Sequence, residues 1–218
     1  KSSDNVLIMG HRYSDLDSVG ASIGMWSVVT KALKKTAFVV VNQSQTLASP
    51  MISSMQSEEY KNMFISCADA ESMVTPKTLL IIHSQDFVES DELLNAVSRV
   101  VIIDHHRLMV KHIENAIVFY HEPYASSTSE MVAELVQYIE DNSLNQPEAQ
   151  ALMAGIMLDT KNFVLKTGVR TFEAAAYLRS CGADTVEVKR MFSDSIETYK
   201  AKYEIVSQAE IFNGCAIA

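Results

Sequence analysis

The sequence predicts an α/β fold, a mostly parallel five-stranded sheet with helices on both faces and a helical C-terminal third. Three observations predict it. Up to Tyr120, short apolar runs rich in Val and Ile alternate with longer segments of helical periodicity, the pattern of strands joined by crossover helices. From Ser126 onward helix signals take over. With only seven glycines and four prolines, the chain has no low-complexity linker, and no repeat of fixed period divides it.

Strands are read at Val6–Met9, Ala37–Val41, Thr78–Ile82, Val100–Ile103 and Ile117–Tyr120. Between the first two, residues 18–35 carry Val19, Ile23, Trp26, Val29, Thr30 and Leu33 at near-helical spacing, which makes a βαβ unit. Downstream, "SSTSEMVAELVQYIED" opens with hydroxyl caps and Glu130, then repeats apolar residues at three and four. "PEAQALMAGIML" sets a proline at a helix start, "RTFEAAAYLRS" stops before Cys181 and Gly182, and "DTVEVKRMF" follows Asp184 as an N-cap candidate.

Composition narrows the function. A chain of 218 residues with 48% hydrophobic content can bury a sizeable core. A net charge of -9 and a pI near 5.1 disfavour nonspecific attraction to a nucleic-acid backbone or an anionic membrane, so a phosphate ligand needs a local cationic centre. Cys67, Cys181 and Cys215 are odd in number and widely spaced, which reads as reduced thiols without a disulfide framework. There is no signal segment and no run of about 18 apolar residues, so the segment reads as soluble. Its ends, "KSSDN" and "NGCAIA", read as limits of a piece of a longer chain.

Chemistry gathers in three places. "GHRYSDLDSVG" follows the first strand and supplies His11, Asp15 and Asp17; in a parallel sheet such loops converge at the carboxyl edge. Imidazole mixed with carboxylate suits manganese, zinc or iron(II) better than calcium, against the plainer reading of a solvated polar loop. "VVIIDHHR" runs an apolar strand straight into Asp104, His105, His106 and Arg107. There one imidazole can ligate a metal while the next donates to a phosphate, with Arg107 as a bidentate neighbour; a structural histidine pair capped by Asp104 is the alternative. Asp159 ends an apolar helical stretch and alone reads as a cap, but three segments each supplying carboxylate or imidazole are better explained by a shared dinuclear metal site. Ser127 lies at a predicted helix start, where N–H groups can accept a phosphate or the hydroxyl can cap. Lys161 and Arg170 are candidates to neutralise a scissile phosphate, or ordinary surface charges.

These stretches resemble the DHH phosphoesterases, and within them the membrane-anchored cyclic-di-AMP phosphodiesterases of the GdpP/YybT type. Besides "GHRYSDLDSVGASIG" and "IIDHHR", the resemblance is carried by "HEPYASSTSEMVAEL", "LMAGIMLDTKNFVLKTGVRTFEAAAYLRSCGADT" and "CAIA", in that order, over nearly the whole chain. It implies a DHH N-terminal lobe holding two divalent metal ions, manganese above all, and hydrolysis of cyclic-di-AMP to pApA by metal-activated water. It further implies a cytoplasmic domain of a membrane-anchored bacterial parent, a cyclic dinucleotide or short dinucleotide as substrate, no large nucleic acid, and a homodimer as an option. By position, His11 and Asp15 resemble ligands of one metal, and Asp17, His105 and Asp159 ligands of the other. His106 resembles the phosphate-contacting second histidine; Arg107 beside it is a further catalytic candidate, while Ser127 and Arg170 are candidates for substrate binding.

The sequence departs from that family at two points. Where the family has a "VVVDTH"-like stretch whose aspartate bridges the metals, this chain reads "LLIIHSQD", with His83 at that position. A neutral imidazole offers one free lone pair to one metal, so Asp15, Asp17 and Asp159 are left to balance two divalent ions, and a single bound ion becomes the alternative. Asp86 is off the family's spacing for a replacement carboxylate. A catalytically weakened cyclic dinucleotide sensor and a nanoRNA or pyrophosphate hydrolase are accordingly the competing functions. The family's C-terminal lobe with its "GGGH"-like motif is absent from these residues, so 1–191 is expected to form the DHH lobe and 192–218 a connecting helix and the start of that second lobe.

Overall fold

The computed structural model describes residues 2–107, 113, 116–140, 143–192 and 196–217. Six strands form one parallel sheet: β1 (Val6–Met9), β2 (Ala37–Val40), β3 (Phe64–Ile65), β4 (Leu79–Ile82), β5 (Val100–Asp104) and β6 (Ala116–His121). Their order is β3-β2-β1-β4-β5-β6. The five strands expected from the sequence are all present, and the count is corrected to six by β3. Two residues are too short a run to carry an alternation, so its signal was below reading.

β1 is buried along its whole length because it pairs with β2 on one side and β4 on the other and is covered on both faces. Alternation then sends Val6 and Ile8 into one hydrophobic core and Leu7 and Met9 into the other. The larger core packs the sheet against α1 (Leu16–Ser27), α5 (Thr128–Ile139), α6 (Gln146–Asp159) and α7 (Val169–Ser180), with α2 (Ser49–Ser54) and α8 (Thr185–Arg190) at its margins. The smaller core lies under α3 (Cys67–Ser72) and α4 (Asp91–Ala96).

The helix expected over 18–35 is α1 followed by a π-helical turn, Val28–Ala32. Three consecutive β-branched residues, Val28, Val29 and Thr30, stand where the helix widens, and the Thr30 hydroxyl donates back to the Trp26 carbonyl. The predicted N-caps at Ser127 and Asp184 are made: each side chain accepts a backbone N–H of its own helix. Asp141, the last residue read into the α5 segment, lies outside the described residues.

The contact of α1 with α6 depends on missing side chains. A Cβ at Gly20 would stand 2.4 Å from the Ala151 carbonyl oxygen, and one at Gly155 would stand 2.1 Å from Ser129 Oγ and 2.9 Å from the Cα of Asp17. At the far end, fully buried Glu148 accepts from the Lys31 ammonium, the Asn145 amide and the Ser27 hydroxyl, tying the π turn to the start of α6. The N-terminus of α1 and the C-terminus of α6 therefore meet at the carboxyl edge of the sheet.

Beyond residues 193–195, which are not described, α9 (Ile196–Ser207) and a hairpin of β7 (Glu210–Phe212) and β8 (Cys215–Ile217) contribute no side chain to either core among the described residues. No helix of the described residues is long and apolar enough to cross a membrane.

Candidate metal centre

The sheet reverses its strand order between β1 and β4, and the loops leaving these two strands flank the crevice that results. The loop after β1 carries His11 and Asp15 and leads into α1 with Asp17 in its first turn. The loop after β4 begins at His83, and β5 ends in Asp104, followed by His105 and His106. Asp159 arrives from the opposite side as the last residue of α6.

Three of these residues converge. One ligand atom each from Asp17, His105 and Asp159 lie within 4.8 Å of one another. His105 Nε2 is 3.2 Å from Asp159 Oδ2 and 3.6 Å from Asp17 Oδ2, yet makes no aligned hydrogen bond to either. Burial holds the His105 pKa below its ordinary value, so its imidazole is neutral and has a lone pair to give. Asp159 shows the converse: burial first, then the charges of Asp17 and Asp15, push its carboxyl up to about 8. Acidic groups crowded around a neutral imidazole whose Nε2 has no hydrogen-bond partner form a buried donor set that fits a divalent cation.

Asp17 is fixed from behind. Its Oδ2 accepts the Thr128 amide at 2.9 Å and its Oδ1 the Ser129 amide at 2.8 Å, both at the start of α5. Each bond uses one lone pair per oxygen and leaves the other pair for a metal. The helix N-terminus thereby stabilises the carboxylate that faces the site.

A narrow cavity continues from this group, lined by His11, Asp15, Asp17, Ser18, His83, His106 and Asp159. Asp15 caps α1 through Oδ1, which also lies 3.7 Å from His11 Nε2. Burial opposes charge on both, but their mutual approach prevails, lifting His11 to about 9 and holding Asp15 below the usual carboxylate range; the Arg12 carbonyl and the Ser18 and Asp17 amides assist. His83 is 1% exposed and neither ring nitrogen has a hydrogen-bond partner. Burial pushes its pKa down to about 4 against the charge of Asp17, and the Ile103 carbonyl pulls upward without reaching hydrogen-bonding geometry. Ser18 Oγ is a further buried, unpartnered atom here, 1.6 Å from where a Cβ on Gly10 would stand.

Asp104 is not among the converging ligands. Its Oδ1 takes the amide and Nδ1 of His106, at 2.9 and 2.8 Å, and its Oδ2 takes the amide and side chain of Gln85. Burial would raise its pKa, but the His106 bonds hold it low; reciprocally, Asp104 raises that of His106. This leaves His106 Nε2 free of Asp104, and the ring meets that of His11 edge to face at 6.1 Å between centroids.

The remaining sequence candidates are not among the residues that line the narrow cavity. Arg107 is exposed. The Ser127 hydroxyl accepts the Glu130 amide as the α5 cap, and Arg170 forms a two-pronged pair with Glu134 at 2.8 and 2.7 Å. Asp86 lines a wider outer cleft of about 530 Å³, which shares His11, Asp15 and His106 with the narrow cavity. The capping of the histidine pair by Asp104, offered by the sequence as the alternative, is made at His106, whereas the Thr128 and Ser129 amides as partners of Asp17 were missed; an amide carries no side-chain signal, and its partner is more than a hundred residues away.

Residues 5–156 match the DHH family, N-terminal domain. The chain is 42% identical over 99% of its length to the cyclic-di-AMP phosphodiesterase GdpP of Geobacillus thermodenitrificans, and 39% identical over 99% to the cyclic-di-AMP phosphodiesterase PdeA of Listeria monocytogenes. In each case it spans about a third, 34%, of the length of the curated relative. In fold it is similar to the crystal structure of an exopolyphosphatase-related protein from Bacteroides fragilis, with a TM-score of 0.79 and 18% identity over 96% of this chain and 63% of that one.

Proposed function

Because this chain belongs to the DHH family, we propose that it is the DHH lobe of a divalent-metal-dependent cyclic-di-AMP phosphodiesterase that opens the cyclic dinucleotide to pApA. The observation that carries the reading is the convergence of Asp17, His105 and Asp159 on one buried point, each from a different element. The names of the curated relatives support the substrate.

In this reading Asp17, His105 and Asp159 hold one cation, and His11, Asp15 and His83 surround a second position in the same cavity. Cations bound there, manganese in this proposal, supply charge neutralisation at a phosphoryl oxygen and a lowered pKa for water. His106, held by Asp104 through Nδ1 and favoured in its protonated form, presents Nε2–H to a phosphate oxygen at the junction of cavity and cleft. Ser127 and Arg170 serve the fold of this face through their internal bonds, and Arg107 is available to substrate from the surface. Residues 1–191 form this lobe and 192–218 lead toward a further lobe of a longer, membrane-anchored parent.

The test is product analysis: manganese-loaded chain with cyclic-di-AMP yields pApA, and Asp159→Asn does not. Pyrophosphate, short RNA and pApA offered in parallel assign the competing hydrolases. His83 supports a second reading, a lobe that binds the cyclic dinucleotide without turning it over, because an imidazole cannot span two cations as a carboxylate does. Calorimetric binding without product decides for it.

A further inference from the structure

The outer cleft is walled by two aromatic side chains that neither core uses. Tyr13, from the loop after β1, is 61% exposed and Phe87, from the loop after β4, is 77% exposed. Among the described residues neither ring pairs with another aromatic ring. Both sit in left-handed backbone, at φ 56° and 52°, a conformation uncommon for bulky residues.

The loops that present them are strapped together. The Arg12 amide donates to the Phe87 carbonyl at 2.7 Å, the Glu89 amide donates to the Gly10 carbonyl at 3.0 Å, and His11 bridges to Val88. The two loops that line the cleft are therefore joined to each other rather than independent. Arg12 contributes no free charge to the cleft, since its guanidinium is 2.6 Å from Asp91. The cleft's volume of about 530 Å³ falls in the range of small-ligand sites.

We infer that Tyr13 and Phe87 form a nucleobase subsite, on which the base attached to the phosphate at the metal centre stacks. This deepens the phosphodiesterase reading and rests on it. The connection is spatial: His11, Asp15 and His106 line both cavity and cleft, so a phosphate held at their junction leaves its nucleoside in the cleft. Aromatic faces stack on any base and offer nothing to inorganic polyphosphate, so the subsite selects nucleotide esters.

Calorimetry of the manganese-loaded chain with 5′-AMP and with ribose 5-phosphate tests this. AMP is expected to bind about tenfold or more tighter than ribose 5-phosphate, the usual yield of one stacked base. Tyr13→Ala with Phe87→Ala removes that preference while leaving ribose 5-phosphate binding unchanged, and Tyr13→Phe retains it. Equal affinities in the parent chain, or an AMP preference that survives the double substitution, overturn the subsite alone. A double variant that loses both ligands together also overturns it, since the rings then serve the loops. If the parent chain binds neither ligand, the phosphate site and this inference fall together.

Discussion

The carboxylate of Asp17 accepts the backbone N–H of Ser129 at 2.8 Å across 112 positions of sequence. This bond, with its Thr128 counterpart, fixes an acid of the proposed metal site by the N-terminus of a helix that supplies none of the three converging side chains. Asp17→Asn keeps the shape but offers one acceptor to two amides. Unfolding should show a loss of about 1–3 kcal/mol, the cost of a buried unsatisfied donor. Manganese affinity should fall by more than about 100-fold, beyond the 10–100-fold typical of outer partners. Titration calorimetry and urea melts measure both.

Gly155→Ala tests the packing that brings α6 to Asp17. The added methyl meets Ser129 Oγ at 2.1 Å, Ser129 Cβ at 2.8 Å and the Asp17 Cα at 2.9 Å, so backbone must shift. The expected destabilisation is about 1–3 kcal/mol. Metal affinity should drop with it although no ligand is changed; an unchanged melting temperature would show that α1 and α6 adapt freely.

His83→Asp restores a carboxylate at the end of β4. Metal analysis should show a higher manganese occupancy per chain, and pApA should be released faster. Equal stoichiometry and equal rates remove the argument that this imidazole limits the second ion.

His83 also gives a pH signature to the metal-free chain. Its pKa is about 4 folded against 6.5 free, because burial excludes the charged form. The unfolded chain binds the extra proton, so this contribution to stability is complete above pH 6.5 and is lost as pH falls toward 4. His83→Asn should flatten the fall of the urea midpoint over that window. Subtracting the two curves isolates His83 from Asp159, whose raised pKa favours the folded chain as pH falls from 8 toward 4.

Metal binding should release protons. Asp159 without a cation has a pKa of about 8, so below that pH an incoming ion displaces its proton and affinity weakens by up to about tenfold per pH unit. Calorimetry near pH 7 in buffers of different ionisation enthalpy should report at least half a proton released, roughly, per ion bound. An affinity independent of pH and buffer contradicts this.

Most of the sheet was legible in the sequence because β1, β2, β4, β5 and β6 carry continuous apolar runs bounded by polar loops. β3 was not, since Phe64 and Ile65 are too few for a period. The convergence of Asp17, His105 and Asp159 was reached through resemblance; their spacing alone cannot say that α6 ends beside the first turn of α1, which Gly20 and Gly155 make possible. Ser127 was legible as the cap of α5, since the Glu130 amide it accepts lies three residues on; Arg170 was legible as a charge but not in its partner, because Glu134 lies on another helix and becomes a neighbour only through packing. Tyr13 and Phe87 gave no pattern at all: their role depends on two loops crossing at the reversal between β1 and β4.

The most direct test of the central claim is an anomalous-scattering map of crystals of this chain grown with manganese. A peak is expected about 2.0–2.3 Å from side-chain atoms of Asp17, His105 and Asp159 together. Manganese bound elsewhere, or a map with no peak among these three residues at saturating ion, would contradict it.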